Sequence, residues 1–265
     1  MIPFWKMHGC GNDFIVVEST VLAAPLRPDT VRSWVDRRCG VGCDQVLVID
    51  PPASDRLPRM TVFNADGSQG KQCGNGLRCV AWFLQQRYPA LGAAFQVESS
   101  SGAHEVEIHN AQDIAVKLGV PGRVQQRRVV LDGEQIPQLT CVDVGNPHAV
   151  CWVEDVDHVP LHRWGKALNG PDGFNGGINV ECASVLESCH ARMRVWERGS
   201  GETLACGSGA CAVMVAGRSE GLFDSTVTLD LPGGRLVVQW SRAQDPVVLS
   251  GPVAVVFQGE IPIAQ

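Results

Sequence analysis

Cys73 and Cys206 each begin a Cys-Gly-x-Gly turn that leads directly into an apolar, helix-like segment. The first stretch reads CGNGLRCVAWFLQQ and the second reads CGSGACAVMVAG. Two glycines around one polar residue make a tight turn with available backbone N–H groups, and the following helix adds the positive end of its dipole. We therefore expect each thiol to ionise more readily than an ordinary cysteine. Two such thiols facing one site could act as a matched acid and base.

A pair of acid–base groups on opposite sides of one carbon can invert its configuration. One thiolate removes the proton from one face, the other thiol returns a proton to the opposite face, and the roles exchange in the reverse direction. The α-proton of an amino acid is very weakly acidic, so the charge that develops on the carboxylate must be stabilised. The backbone N–H groups after the two cysteines can provide this stabilisation; they belong to Gly74, Asn75, Gly207 and Ser208.

Polar residues recur along the chain at a nearly constant spacing. Cys73 and Cys206 lie 133 residues apart, as do Asn64 and Glu197, while 134 residues separate Asn12 from Asn146 and Gln45 from Asn179. This spacing predicts two similarly folded halves related by a pseudo-two-fold, with equivalent residues converging on the cleft between them. We place the first half at residues 1–122, joined by a C-terminal strand of about 256–265, and the second at 123–255.

The elements that position these residues are short apolar strands and a few helices. In each half, a strand is followed by a polar loop that ends at Cys73 or Cys206. A helix begins at this cysteine, and a hairpin follows the helix. The helix after Cys206 is apolar nearly all round, which is typical of a helix buried on every side by a curled sheet. Residues 121–137 hold few fold signals and are predicted to be a crossover. The fold class is therefore α/β (α+β).

Composition limits the classes of function. The chain has 265 residues, is 45% hydrophobic and carries a formal net charge of −6, which argues against a nucleic-acid partner with its need for a basic face. No stretch has the length and apolarity of a membrane span, and no secretory signal is recognisable. We therefore expect a cytoplasmic protein that binds neither nucleic acid nor membrane.

The eleven cysteines do not predict a disulfide framework or a metal site. Their number is odd, and only Cys39 and Cys43 approach the spacing of metal ligands, without a matching second pair. Cys79 and Cys211 lie inside the helices that follow the two turns and are predicted to be small buried residues. No dinucleotide or Walker motif occurs, and no lysine has a pyridoxal-phosphate context, so no cofactor is predicted.

Structural roles are the alternative for several candidates. Asparagines beside glycine commonly form turns or caps, and Glu197 with Arg198 could form a surface ion pair. His148 is ambiguous because a histidine after proline can order its loop, and His8 is interpreted as structural. The shared spacing is what favours a binding role for the asparagines.

Six stretches together resemble the diaminopimelate epimerase family. They are MHGCGNDF from Met7, GVGCDQ from Gly40, FNADGS from Phe63, CGNGLRC from Cys73, GNPH from Gly145 and ERGSGETLACGSGACA from Glu197. The resemblance runs from Met7 to about Gly234. It implies two pseudo-symmetric domains, each a curled sheet around a central helix. It also implies a pyridoxal-phosphate-independent enzyme, commonly a homodimer, that converts LL-diaminopimelate to the meso form for lysine and peptidoglycan synthesis.

The same resemblance assigns roles to the candidate residues. It makes Cys73 and Cys206 the two acid–base thiols. It also assigns substrate-binding positions, which are Asn12, Gln45, Asn64, Asn146, Asn179, Glu197 and Arg198. The N–H groups after the cysteines would hold the reacting carboxylate, and Asn64, Asn179 and Arg198 would hold the distal one. The sequence departs from the family pattern at Cys10, Cys43 and Asn175.

Two other functions stay open at this point. One is a cofactor-independent racemase of the same fold that acts on proline, hydroxyproline or histidine. The other is a non-enzymatic binding protein, or a redox protein that pairs Cys73 with Cys206 as a reversible disulfide. Arg198 with Asn64 and Asn179 favours diaminopimelate, because a proline-type substrate has no second carboxylate to hold.

Overall fold

The computed structural model describes residues 1–70, 73–131, 134–171 and 173–262. Its strands, in chain order, are β1 (Ile2–Gly9), β2 (Asn12–Glu18), β3 (Gln45–Asp50), β4 (Arg59–Asn64), β5 (Gln69–Gly70), β6 (Ala94–Ser99), β7 (Gly102–Asn110), β8 (Asp113–Gly119), β9 (Val124–Arg127), β10 (Val130–Leu131), β11 (Glu134–Gln135), β12 (Leu139–Asp143), β13 (Pro147–Trp152), β14 (Asn179–Glu187), β15 (His190–Glu197), β16 (Gly201–Thr203), β17 (Thr226–Leu231), β18 (Gly234–Gln239), β19 (Val247–Gly251) and β20 (Ala254–Ile261). The α-helices are α1 (Pro28–Val35), α2 (Gly74–Arg87), α3 (Leu161–Leu168) and α4 (Gly207–Ser219).

The chain divides into two compact units. The first comprises Met1–Val116 and Gly251–Gln265, and the second comprises Lys117–Ser250. The last three residues of the predicted C-terminal strand, 263–265, lie outside the described part of the chain.

The first unit is a mixed sheet with one long helix. β1 pairs antiparallel with β2, β2 pairs parallel with β3, and β3 pairs antiparallel with β4. β4 then pairs antiparallel with β5 and parallel with β6, and β6 forms a hairpin with β7. Helix α2 lies between β5 and β6 in the chain, so the strand that ends at Asn64 leads to the Cys73 turn.

The second unit repeats this pairing order. β12 pairs antiparallel with β13, β13 parallel with β14, β14 antiparallel with β15, and β15 antiparallel with β16 and parallel with β17. The registers repeat too, since Phe14 opposite Gln45 corresponds to His148 opposite Asn179. The predicted α/β fold of two pseudo-symmetric halves is therefore confirmed.

The long helix of each unit is largely buried. From Ala210 to Ala216, every side chain of α4 is at most 1% exposed, as its apolar sequence predicts for a helix covered on all sides. Helix α2 buries a continuous stretch from Gly74 to Ala81, which includes the guanidinium of Arg78. Cys79 and Cys211 lie in these buried stretches, as predicted.

One expectation about secondary structure was wrong. The predicted crossover at 121–137 contains β9, which pairs antiparallel with β12, and the β10–β11 hairpin. Its strands were missed because β9 reads VQQR, without the alternation of apolar and polar residues that marks a strand. None of the helices described here is long and apolar enough to cross a membrane.

Candidate active site

Cys73 occupies the N-cap of α2. Its backbone is extended, and its Sγ accepts a hydrogen bond from the backbone N–H of Gly76 at 3.2 Å. A Cβ atom at position 76 would lie 3.2 Å from this sulfur and 3.2 Å from Leu47 Cδ1, which explains the small residue there. The turn therefore places the sulfur at the positive end of the helix dipole.

A chain of amide side chains orients Asn12 beside this thiol. Asn12 Oδ1 lies 3.8 Å from Cys73 Sγ and accepts a hydrogen bond from Asn75 Nδ2 at 3.2 Å. Asn75 Oδ1 accepts in turn from Arg78 Nη2 at 3.0 Å. Asn12 Nδ2 donates to Asp44 Oδ2 at 2.9 Å. The Asn12 carbonyl is thus fixed toward the sulfur by the side chain of Asn75, predicted only for its backbone N–H, and by Asp44 and Arg78, which the sequence analysis did not select.

Ion pairs hold the segment that carries Asn12. Asp13 accepts hydrogen bonds from Lys6 at 2.6 Å and from Arg37 at 2.7 Å and 3.0 Å, and Arg37 also reaches Asp44. Burial raises the pKa of Asp13, but the hydrogen bonds from Arg37 and Lys6 outweigh burial and hold the pKa at about 2. Asn12 itself follows the tight Cys10–Gly11 turn, in which both residues have positive φ.

This lowered pKa predicts how stability depends on pH. A carboxylate with a depressed folded-state pKa stabilises the fold above its unfolded value of 3.8, and this contribution is lost as the pH falls toward 2. Between pH 5 and pH 2, the wild-type protein should therefore lose about 2 kcal/mol more unfolding free energy than Asp13→Asn. Denaturant titrations at both pH values measure this difference, with the exposed Asp55→Asn as control. Parallel losses in wild type and Asp13→Asn would contradict the prediction.

Gln45 and Asn64 form a separate pair in the first unit. They lie opposite each other in β3 and β4, and Gln45 Nε2 donates to Asn64 Oδ1 at 2.9 Å. Asn64 Nδ2 donates to Ser68 Oγ at 3.0 Å. Asn64 therefore lies at the end of the strand that leads to the Cys73 turn, as its sequence position predicts.

Cys206 occupies the N-cap of α4 in the same way. Its Sγ accepts from the backbone N–H of Gly209 at 3.4 Å and lies 3.4 Å from Ser208 Oγ. A Cβ atom at position 209 would come within 2.7 Å of Glu181 Oε1, so only glycine fits this close approach. The two turns that the sequence predicted as equivalent therefore have the same local structure.

The prediction that Cys206 ionises more readily than an ordinary cysteine, by contrast, is wrong. Burial raises the pKa of Cys206 well above its ordinary value, and the negative charges of Glu197 and Glu181 add to this rise. The Ser208 hydroxyl and the Gly209 N–H act in the opposite direction but do not compensate. Cys206 is therefore a protonated thiol near neutral pH, suited to donate a proton.

Glu197 lies beside this thiol at the end of β15. It accepts a hydrogen bond from Thr203 Oγ1 at 2.5 Å and another from Cys206. Burial raises the pKa of Glu197, and Glu181 adds to the rise, whereas the hydrogen bonds from Thr203 and Cys206 oppose it. The interpretation of Glu197 as half of a surface ion pair is thereby excluded.

The remaining predicted residues of the second unit surround His148. Its Nε2 lies 3.1 Å from Asn146 Oδ1 and 3.4 Å from Asn179 Nδ2. Asn146 Nδ2 in turn lies 3.5 Å from Ser208 Oγ. The imidazole is fully buried and contacts both asparagines through its Nε2 atom.

Arg198 lies at the edge of an open cavity in the second unit. Its backbone N–H donates to Asn179 Oδ1 at 2.8 Å, and its Nη1 donates to the Gly176 carbonyl at 2.8 Å. The cavity is lined mainly by the glycine-rich loop between α3 and β14, including Phe174 and Asn175. A guanidinium in such an open, polar cavity can bind a carboxylate.

Sequence reasoning missed Glu181, which lies in the buried strand β14. The signal for it was one acidic residue within the apolar stretch INVECASV, since a buried charge must be hydrogen-bonded or paired. No three histidine, cysteine or acidic side chains in the described ranges form a group that could hold a metal ion.

Comparisons with known proteins show which family the sequence matches. The family model described as diaminopimelate epimerase matches residues 4–124 and 140–256. The chain is 40% identical over 274 residues to the diaminopimelate epimerase of Ectopseudomonas mendocina (strain ymp), with 98% of this chain and 99% of the relative covered. It is 41% identical over 273 residues to that of Pseudomonas aeruginosa (strain UCBPP-PA14), with the same coverage.

Two solved structures share this fold at much lower sequence identity. A Bacillus anthracis phenazine biosynthesis protein of the PhzF family superposes with a TM-score of 0.74 at 15% identity, covering 99% of both chains. A hydroxyproline epimerase from Agrobacterium vitis superposes with a TM-score of 0.73 at 12% identity, covering 97% of this chain and 91% of that one. At these identities the likeness concerns the fold alone.

Proposed function

We propose that this chain, which belongs to the diaminopimelate epimerase family, interconverts LL- and meso-2,6-diaminopimelate with two cysteine thiols as acid and base. Full-length similarity to curated diaminopimelate epimerases supports the reaction. The observation that carries the mechanism is the matched position of Cys73 and Cys206, each the N-cap of a buried helix. The reaction supplies meso-diaminopimelate for lysine and peptidoglycan synthesis.

The two thiols have different roles in each direction. In the direction in which the Cys206 thiol donates its proton, Cys73 acts as the thiolate that removes the α-proton. After transfer, Cys206 is the thiolate and Cys73 the thiol, so the enzyme is poised for the reverse reaction. No proton is gained or lost overall, and neither redox chemistry nor a cofactor is needed.

Charge on the reacting carboxylate is stabilised by the helix starts. The first-turn N–H groups of α2 and α4 belong to Gly74, Asn75, Gly207 and Ser208, and the dipoles of both helices favour negative charge there. Such fixed donors stabilise the transition state without reorganisation, and each typically contributes about 10²–10³ in rate.

Recognition of the distal end distinguishes diaminopimelate from simpler amino acids. Arg198, Asn179 and Asn64 are proposed to bind the second carboxylate, and Glu197 and Asn146 to lie nearer the reacting carbon. The open cavity beside Arg198 supports this assignment. A racemase for proline, hydroxyproline or histidine remains the second candidate, favoured only by the shared fold.

Isotope exchange separates these candidates. Incubation of LL-diaminopimelate with the reduced protein in D₂O, without added cofactor, should give an equilibrium mixture of isomers with deuterium at the inverted α-carbon. Proline serves as the comparison substrate. Exchange into proline without exchange into diaminopimelate would transfer the assignment to the second candidate.

We also propose a homodimer that works in the cytoplasm. The edge strand β20 exposes three consecutive apolar residues, Val255, Val256 and Phe257, which supports a contact with a second copy. A reducing compartment keeps both catalytic thiols available. Sedimentation velocity should give twice the monomer mass for wild type and a shift toward monomer for Phe257→Glu, whereas a monomeric wild type would refute the dimer.

A further inference from the structure

The polar loop between β4 and β5 holds the side chain of Asn64. Asn64 Oδ1 accepts a hydrogen bond from Gln45 Nε2 at 2.9 Å, and Asn64 Nδ2 donates to Ser68 Oγ at 3.0 Å. Ser68 Oγ in turn donates to Asp66 Oδ1 at 2.6 Å. The donors therefore point in one direction, from Gln45 to the carboxylate of Asp66. The proposed function gives Asn64 a role in binding substrate but gives none to Ser68 or Asp66.

The contact with Gln45 does not by itself fix the orientation of the Asn64 amide. Two facing amides satisfy their contact in either of two orientations, because each carries a donor and an acceptor. If both amides turned over, Gln45 would accept from the Asn64 nitrogen instead of donating to the Asn64 oxygen. The orientation of Asn64 is therefore decided by its other neighbour, the Ser68 hydroxyl.

The Ser68 hydroxyl is committed to accept from Asn64. A hydroxyl has one hydrogen, and Asp66 takes that of Ser68, since an ionised carboxylate can only accept. Asp66 is exposed, and hydrogen bonds from the Ser68 hydroxyl and from the Ser68 backbone N–H at 2.8 Å lower its pKa. Ser68 Oγ thus presents only lone pairs to Asn64, which places the amide nitrogen of Asn64 on that side.

The loop that carries Asp66 and Ser68 is anchored to helix α1. Arg32 Nη1 donates to the backbone carbonyl of Asp66 at 2.8 Å. A Cβ atom at position 67 would lie 2.7 Å from Pro28 Cα, so the loop lies directly against the start of the helix. The Ser68 hydroxyl is therefore held in place relative to β4, although its side chain is exposed.

We infer that Ser68, held by Asp66, is a positioning residue that fixes the Asn64 amide with its nitrogen available to the distal carboxylate of the substrate. This inference rests on the proposed function for the role of Asn64. One hydrogen on Nδ2 is bonded to Ser68, and the second can donate to a carboxylate oxygen. An amide turned over would present an oxygen lone pair there, which repels a carboxylate. Ser68 acts through Asn64 alone.

Ser68→Ala tests the inference by removing the acceptor, so that both orientations of the Asn64 amide coexist. A contact with the distal carboxylate binds substrate and transition state alike. KM for diaminopimelate should therefore rise about fivefold while kcat changes by less than about twofold. Ser68→Thr keeps the hydroxyl and should keep KM within about twofold of wild type. An unchanged KM in Ser68→Ala, or an equal rise of KM in Ser68→Thr, would overturn the inference.

The matched control is Ser188→Ala in the second unit. Ser188 is also an exposed serine whose hydroxyl donates to an aspartate, Asp224, at 2.6 Å, but it lies in the turn between β14 and β15. This control should leave KM unchanged. A rise of KM in both alanine variants would mean that loss of any serine–aspartate contact has the same effect, and would refute the role of Ser68.

A double variant separates action through Asn64 from a general effect on the loop. If Ser68 acts only through the Asn64 amide, Asn64→Ala combined with Ser68→Ala should have the same KM as Asn64→Ala alone. Independent effects would instead multiply. A KM in the double variant that is about fivefold above that of Asn64→Ala would therefore contradict the inference.

Nitrogen-15 NMR of the Asn64 side chain provides a readout that does not depend on activity. The amide signal, assigned by its absence in Asn64→Ala, should have an order parameter of about 0.85 in wild type and below about 0.6 in folded Ser68→Ala. An equal order parameter in the two proteins would overturn the inference. Wild-type protein without activity on diaminopimelate would refute the proposed function instead, and the NMR comparison would still decide whether Ser68 orders Asn64.

Discussion

Replacing either Cys73 or Cys206 by alanine should abolish epimerisation. Each alanine removes one of the two groups that are proposed to act on opposite faces of the carbon, so kcat/KM should fall on the order of 10³-fold or more in both directions. The measurement is conversion of LL-diaminopimelate to the meso form by each purified variant. Both alanines replace small side chains at N-caps, so the far-ultraviolet circular dichroism should stay that of wild type.

Isotope exchange distinguishes the loss of one thiol from the loss of the folded active site. A single remaining thiol can remove and return a proton on its own face, so each variant should exchange deuterium into only one isomer, with retention of configuration. The isomers should be complementary for the two variants. Cys39→Ala and Cys189→Ala, which change exposed cysteines, are the controls and should epimerise normally. Normal epimerisation by Cys73→Ala or Cys206→Ala would exclude the two-thiol mechanism.

Substitution of Arg198 should have the next largest effect. Arg198→Ala removes the cation proposed to bind the distal carboxylate, and a charge-assisted, bidentate contact accounts for roughly a 100-fold loss in kcat/KM for diaminopimelate. A one-ended analogue, 2-aminoheptanoate, lacks the distal carboxylate and should react equally slowly with wild type and variant. The comparison of the two substrates measures recognition of the distal end directly.

Arg192→Ala is the matched control for this prediction. Arg192 lies on β15, the strand that ends one residue before Arg198, but its Nη2 donates to Asp157 at 2.8 Å on the exposed surface. Its removal should leave kcat/KM for diaminopimelate within about twofold of wild type, since exposed ion pairs contribute little. If Arg198→Ala lowered kcat/KM for both substrates equally, Arg198 would order the loop through Gly176 rather than bind substrate.

The difference between the two thiols is a consequence of their surroundings. Both cysteines cap a helix and accept a backbone N–H from the glycine three residues later. Cys206 additionally lies near two carboxylates, Glu197 and Glu181, whose charges oppose its ionisation. Asn12 meanwhile presents a carbonyl oxygen to Cys73 because Asp44 binds its amide nitrogen. Equivalent positions of a duplicated fold therefore hold two thiols with different neighbours.

Much of the site could be predicted from the sequence by itself. Helix capping, tight glycine turns and strand ends depend on residues that are neighbours in the chain, so the CGNG and CGSG stretches indicated both N-cap thiols. A constant spacing of 133–134 residues indicated the duplication, because repeated polar positions require repeated elements to carry them. Family motifs then indicated the reaction.

Other properties were decided only by the tertiary structure. The pKa of Cys206 is raised by burial and by carboxylates on β14 and β15, and no local motif reports either effect. Asn179 accepts a hydrogen bond from the Arg198 backbone N–H with its side-chain oxygen. Glu181 lies near His148 because β14 pairs in parallel with β13. The local dielectric, the local charge and the direction of each hydrogen bond are set by groups that lie far apart in the chain. These groups come together only on folding. Sequence therefore identified the two N-cap thiols, whereas the fold determined the burial and the nearby carboxylates that raise the pKa of Cys206.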